Sequence, residues 1–203
     1  RCIIMRIHSA VDLCSSISNL PKIEISEKDR QILRELAAKV AELAARPIEE
    51  EKKKLWYKHN DLEACRPLLF CDPEVGWNEL VTEDQIICEG ELAQTWEVTL
   101  RKEIFWGESM GDDRVIEPYF NINYVADDTG WGMQEKKIGG YDGGSYRWEA
   151  PLKDYKDLDK LCYPEIKVDY EKTNALVDLA NEVFGDLLTV RLKAIWWWSL
   201  GMT

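Results

Sequence analysis

The sequence predicts an α/β fold built on a parallel sheet, and three observations carry that expectation. Short strand-like runs at 68–72, 114–123 and 187–193 alternate with stretches of helical period, and parallel strands need such crossovers between them. The chain has the material for a core, since 45% of its 203 residues are apolar, and a chain of this length buries about 70% of its unfolded surface. No internal repeat or low-complexity tract competes with this reading.

Residues 1–25 show no period and are set apart by Pro21, so they read as an N-terminal flank. Ser26 opens a helix: its hydroxyl can cap the first turn, with Asp29 at the reciprocal position. Ile32, Leu33, Leu36, Val40, Leu43 and Ala44 follow at steps of three and four and form one buried stripe. Pro47 suits the first turn of a second helix that runs to about His59. On it Glu49/Lys53 and Glu50/Lys54 have ion-pair spacing, and the run from Glu49 to Lys54 reads as a solvated face.

Leu68–Asp72 is a continuous apolar run ending in a carboxylate, the pattern of a fully buried parallel strand. A helix over Glu91–Trp106 follows, then a second strand over Arg114–Asn123. Alternating Trp, Met and Ile over 131–149, around Gly139-Gly-Tyr-Asp-Gly-Gly144, predict a β-hairpin insertion. Asp154–Leu161 reads as a short helix. Lys172–Phe184 reads as a longer one, with Leu176, Leu179, Ala180, Val183 and Phe184 on one face and Gly185 as its stop. Leu187–Lys193 is the third strand.

Charge and composition exclude several functions. With 38 acidic and 26 basic residues, a formal net charge of −12 argues against a nucleic-acid-binding surface. No apolar run reaches the ~18 residues of a membrane span; the longest, Ala194–Met202, is too short. Arg6, His8 and Asp12 interrupt the N-terminal apolar stretch before it could act as an export signal. The six cysteines, at 2, 14, 65, 71, 88 and 162, include no Cys-x-x-Cys pair, and no Asn-x-Ser/Thr sequon occurs. They read as cytosolic thiols, mostly buried, and the expected location is the cytoplasm.

The segments Ile32-Leu-Arg-Glu-Leu-Ala-Ala-Lys-Val-Ala-Glu-Leu-Ala44, Glu51-Lys-Lys-Lys-Leu-Trp56, Asn60-Asp-Leu62 with Arg66-Pro67, and Val115-Ile-Glu-Pro-Tyr119 together resemble the uroporphyrinogen-decarboxylase-like proteins of anaerobic microbes. That group is similar both to uroporphyrinogen decarboxylase and to corrinoid-dependent methyltransferases. The resemblance runs from about residue 30 onward and implies a TIM (β/α)8 barrel of the uroporphyrinogen decarboxylase/methionine synthase-like type. A complete barrel takes about 250 residues, and three strands cannot close one. The chain also starts at Arg1 and stops just after an apolar run. The expectation is therefore a fragment: residues 26–203 form the N-terminal part of a barrel, with two leading helices as an N-terminal helical extension and the 131–149 hairpin as an insertion.

The decarboxylase is expected to hold propionate groups with an arginine-rich segment after its first strand and to carry an essential Asp after its second. Here the first position reads Cys71-Asp-Pro-Glu-Val-Gly-Trp-Asn78, acidic where that enzyme is basic, so carboxylates would repel carboxylates. The second reads Glu117-Pro-Tyr-Phe-Asn-Ile122, with Asn121 or Tyr119 near the expected Asp. Tetrapyrrole decarboxylation is thus disfavoured. The methyltransferase branch implies a corrinoid on a carrier protein and zinc held by His and Cys ligands beyond Thr203. The expected function is a part in corrinoid-linked methyl transfer from a small methylated substrate, with residues 1–203 alone inactive; the alternative is a non-catalytic small-ligand or corrinoid-binding protein.

In a barrel, chemistry sits at the C-terminal ends of strands. The candidate substrate-binding residues are therefore Asp72, Glu74, Trp77 and Asn78 after the first strand, Glu117, Tyr119 and Asn121 around the second, and Arg191 on the third. Gathered at one mouth, they would suit a cationic or amine-bearing ligand. The competing structural reading has Asp72 and Glu117 capping helices or pairing with Arg114 or Arg191, Glu117 being the expected partner of Arg191. Trp77 reads as packing, and the Trp196-Trp-Trp198 triplet as core. The Gly139–Gly144 loop matches no phosphate cradle. His8 and His59 both lie away from the strand ends, so neither a catalytic triad nor a metal site is expected in this chain.

Overall fold

The computed structural model describes residues 22–133, 136–139 and 145–194. Helices α1 (Glu27–Ala44) and α2 (Pro47–Asn60) lead to a short α3 (Trp77–Leu80) and to α4 (Glu91–Phe105), which runs into a π-turn at Trp106–Met110. Strands β1 (Tyr119–Asn123), β2 (Ala126–Asp128), β3 (Lys136–Gly139) and β4 (Tyr146–Glu149) follow. A 3-10 turn (Tyr155–Lys160), β5 (Ile166–Val168), α5 (Tyr170–Phe184) and β6 (Thr189–Lys193) complete the order.

Ser26 caps α1 as its spacing predicts, its Oγ accepting from the Asp29 amide at 3.1 Å. Of the expected stripe Leu33, Val40 and Leu43 are buried, Ile32, Leu36 and Ala44 are half-buried, and Ala37, which the stripe did not include, is buried as well. Asp29 is not the other half of a capping box. Its carboxylate is buried and accepts from the amides of Glu89 and Gly90 at 2.9 and 3.1 Å, just ahead of α4. Pro47 opens α2, but the charged run on that helix is not wholly solvated. Glu49 turns inward, pairs with Arg46 at 2.6 Å and Lys52 at 3.6 Å, and accepts from the buried Ile116 amide at 2.9 Å. A buried N–H needs an acceptor, and Glu49 supplies it; Lys53 pairs with Glu50 instead, at 3.1 Å.

The expected strand at 68–72 does not form. Leu69 and Phe70 are exposed, and side chains from another loop take the amides that a ladder would use. Asp113 Oδ2 accepts from the Leu69 N–H at 2.8 Å, Asp112 Oδ2 accepts from Cys71 N–H at 2.9 Å, and Asp113 is clamped by Arg66. An apolar run becomes a strand only where a neighbouring strand is free to pair with it.

The parallel pair is β1 with β6, in the register Tyr119↔Thr189, Asn121↔Arg191 and Asn123↔Lys193. The connection between them includes α5, the crossover that parallel pairing demands. Helices α1, α4 and α5 supply the core against one face of this pair. Phe120 and Ile122 face it, the Phe120 ring lying 4.4 Å from Phe184 and 5.4 Å from Trp96. β2–β5 and β3–β4 are separate antiparallel ladders, the second being the expected hairpin, whose turn at 140–144 lies outside the described residues. Among the described residues the sheets are two-stranded, the architecture is mixed α/β, and no barrel closes.

Two helix ends differ in detail. The short helix after Asp154 is a 3-10 turn with a full capping box between Asp154 and Asp157. Gly185 ends α5 at φ −60, not in the left-handed region; glycine suits the position because a Cβ there would meet the Asn181 carbonyl oxygen at 2.6 Å. Cys65, Cys71, Cys88 and Cys162 are free thiols, but of these only Cys88 is buried, contrary to the expectation of mostly buried cysteines. Cys2, Cys14, His8 and the Trp196–Trp198 triplet lie outside the described residues. Among the described residues no helix is long and apolar enough to cross a membrane.

Candidate functional site

The pleat of β1 sends Phe120 and Ile122 to the core and Tyr119, Asn121 and Asn123 to the opposite face. Parallel register then sets Thr189, Arg191 and Lys193 beside them. The Arg191 guanidinium lies on the Tyr119 ring, its Cζ 3.6 Å from the ring centre. Its Nε donates to Asn121 Oδ1 at 3.0 Å. The expected Glu117–Arg191 ion pair is replaced by this ring and this amide. Asn121 stands directly opposite in register and Tyr119 one pleat along, so the guanidinium is held without a carboxylate. Glu117 sits across Pro118 from β1, and its charge acts on Lys53, whose pKa is raised chiefly by its hydrogen bond to Glu50.

The residues after 70 form a second group. Asp72 Oδ1 accepts from the Glu74 amide at 3.0 Å and from Trp77 Nε1 at 3.1 Å, so this carboxylate shapes a turn and anchors an indole. Trp77 is buried, edge-on to Phe105 and Trp106 with ring centres 5.9 and 4.6 Å apart. Glu74 is exposed, and Asn78 follows Trp77 in α3, half-buried. Arg114 pairs with Glu103 at 2.5 Å and stacks 4.0 Å from the Trp106 ring, rather than meeting Asp72 or Glu117.

Lys102 Nζ lies 5.3 Å from the Trp77 ring centre. Burial holds its pKa below the usual lysine range, with the charge of Asp72 opposing the shift. Lys102, Phe105, Trp106 and Arg114 were not among the sequence candidates; the four-residue spacing of Lys102 and Trp106 is their trace in the sequence. The eight candidates thus fall into two gatherings, Asp72 with Glu74, Trp77 and Asn78, and Tyr119 with Asn121 and Arg191. Glu117 belongs to neither. None of the hydrogen bonds and ring contacts given above runs between the two gatherings.

His59, on α2, is exposed and packs edge-on to Trp56 at 5.7 Å. Among the described residues no group of three or more His, Cys, Asp or Glu side chains is placed to hold a metal ion. These residues therefore do not build the zinc centre that the methyltransferase branch implies, and no step is assigned to them through a metal. Comparison with family models, with curated proteins and with solved structures finds no match. What fold and site define together is a mixed α/β protein with a polar, arginine-bearing face on a parallel strand pair.

Proposed function

We propose that this chain is part of a uroporphyrinogen-decarboxylase-like barrel protein that acts in corrinoid-linked methyl transfer from a small methylated substrate. The observation that supports this reading is the β1–β6 pair. Helices cover one of its faces, as they cover the outside of a barrel wall, and the other carries Tyr119, Asn121 and Arg191, where a barrel keeps its ligand-facing residues towards the strand ends. In this reading Arg191, oriented by Tyr119 and Asn121, holds the substrate. A corrinoid carrier protein is the partner, and zinc would be held by His and Cys ligands beyond Thr203, not by residues 1–203. The free thiols of Cys65, Cys71, Cys88 and Cys162 support a cytoplasmic setting.

The test is conversion of cob(I)alamin to methylcobalamin, followed by visible absorption. It uses the protein in its natural reading frame, a corrinoid carrier, and methylated amines, thiols or aryl methyl ethers, each with and without a carboxylate, as donors. Protein-dependent conversion with at least one donor is expected. A folded protein that gives methylcobalamin with none of them overturns the assignment.

A further inference from the structure

We infer that Arg191 is the receptor for a single carboxylate of a small ligand, bound on the open face of the β1–β6 pair. Acidic residues outnumber basic ones in this chain, 38 to 26, and its arginines are generally taken up by them. Arg30 pairs with Glu27 and Glu182, Arg34 with Asp186, Arg46 with Glu49, Arg66 with Asp113, Arg101 with Glu97 and Arg114 with Glu103. Arg191 differs. Among the described residues no carboxylate lies within ion-pair distance of it, and its one hydrogen bond is from Nε to Asn121. Its Nη1 and Nη2 groups donate to no described residue.

The side chain is nonetheless held in place. Stacking on Tyr119 fixes the plane of the guanidinium, and the Nε bond to Asn121 fixes its rotation within that plane. Ordering a long side chain is one of the costs of binding, and here it is met before a ligand arrives. With Nε occupied, the unused donors are the two Nη groups, an end-on fork whose spacing matches the two oxygens of one carboxylate. Arg191 is half-buried, which weakens competition from water, and Lys193 brings a second cation to the same face.

Charge decides between the two common oxyanions. The chain's net charge of −12 repels a phosphate dianion about twice as strongly as a carboxylate monoanion. A single fork also offers too few donors for three phosphate oxygens. The acidic turn at Asp72 and Glu74 would suit a cationic ligand; the assembled Arg191 site selects the opposite sign.

This inference rests on the proposed function only in taking the ligand to be a small molecule, and binding is read apart from turnover. The full chain, labelled with 15N-arginine, is titrated with benzoate, with benzamide as its neutral counterpart, and with inorganic phosphate. The Arg191 side-chain resonances are identified by their loss in Arg191→Lys. Benzoate is expected to give a saturable shift, with benzamide and phosphate weaker by about tenfold or more. Arg191→Gln should abolish the saturable response, shown by changes at neighbouring amides. Arg191→Lys, which keeps the charge but loses the fork, should weaken it by about fivefold or more. Tyr119→Ala, which removes the ring that fixes the guanidinium plane, should weaken it by about threefold or more.

Equal responses to benzoate and benzamide, tighter binding of phosphate, or undiminished benzoate binding in a folded Arg191→Gln protein would each overturn the assignment. Methyl transfer that is absent while benzoate binding persists removes the proposed reaction and leaves the carboxylate site standing.

Discussion

Four consecutive amides, those of Ile87, Cys88, Glu89 and Gly90, are held by two buried carboxylates. Glu97 accepts from Ile87 and Cys88 at 3.0 and 2.8 Å, and Asp29 accepts from Glu89 and Gly90. Arg101 neutralises Glu97 through Nε and Nη2 at 2.8 and 2.7 Å. Burial, with Glu97 adding to it, pushes the Cys88 thiol up, so it stays protonated beside this carboxylate. Breaking such a set by removing its centre leaves buried donors and a cation unpaired. Glu97→Ala is therefore expected to cost about 3–5 kcal/mol of stability, with Glu97→Gln costing less, as read from urea unfolding midpoints; unchanged midpoints would show that other groups hold the segment. Asp113 gives a pH dependence. Its hydrogen bonds from Arg66, aided by the Leu69 amide and opposed by burial, draw its pKa from 3.8 down to about 2. Because the folded value is the lower one, the stabilisation is complete above the unfolded value and is lost as pH falls from 3.8 towards 2. Asp113→Asn should flatten the acid limb of stability in that window, and a limb as steep as the parent's would assign the effect to other carboxylates.

At the scale of elements, what the sequence made legible was whatever depends on a residue's near neighbours. The three- and four-residue steps of Leu33, Leu36, Val40 and Leu43 mark α1, and those of Leu176, Ala180 and Val183 mark α5. The alternation Phe120-Asn-Ile122 marks β1. The run at 68–72 has the continuous apolar pattern of a buried strand. Yet strand formation depends on a partner elsewhere in the chain, and Asp112 and Asp113 occupy that place with side-chain oxygens. The site divides in the same way. Tyr119, Asn121 and Arg191 could each be picked out along the chain, but the contact between Asn121 and Arg191 spans 70 positions and is set by strand register, which has no local signature. Charge complementarity alone pointed Arg191 at Glu117; register gave it Asn121. The inward turn of Glu49 was hidden for a related reason, since the amide it satisfies belongs to Ile116, 67 positions away.

The whole molecule is uneven in what holds it. The buried hydrophobic residues belong to α1, α3, α4, β1, α5 and the loops beside them, whereas no described residue from 126 to 170 is buried. That arm exposes Trp131, Trp148, Tyr155, Tyr163 and Ile166, and its ladders, β2 with β5 and β3 with β4, are two-stranded. Two-stranded ladders without a packed face are marginal in water, and the arm's exposed ion pairs, such as Lys160 with Asp157, add little. Its root is better secured. The Asp169 amide donates to the Val125 carbonyl at 2.8 Å, and the Val125 amide donates to the buried Thr173 hydroxyl at 3.0 Å. Two regimes of opening follow, because amide exchange reports the cheapest local opening that exposes each N–H. Peptides from 145–168 should take up deuterium at the earliest times of a mass-spectrometric exchange series, while those from α1, α4 and α5 should exchange only at a rate that tracks global unfolding and rises with added urea. The boundary should fall sharply at Val125 and Asp169, where the hydrogen bonds of the root meet the core. Protection of 145–168 equal to that of 170–184 would mean that the arm is held by contacts of the same strength as the core, and the division of the molecule into a packed body and a surface-borne arm would fail.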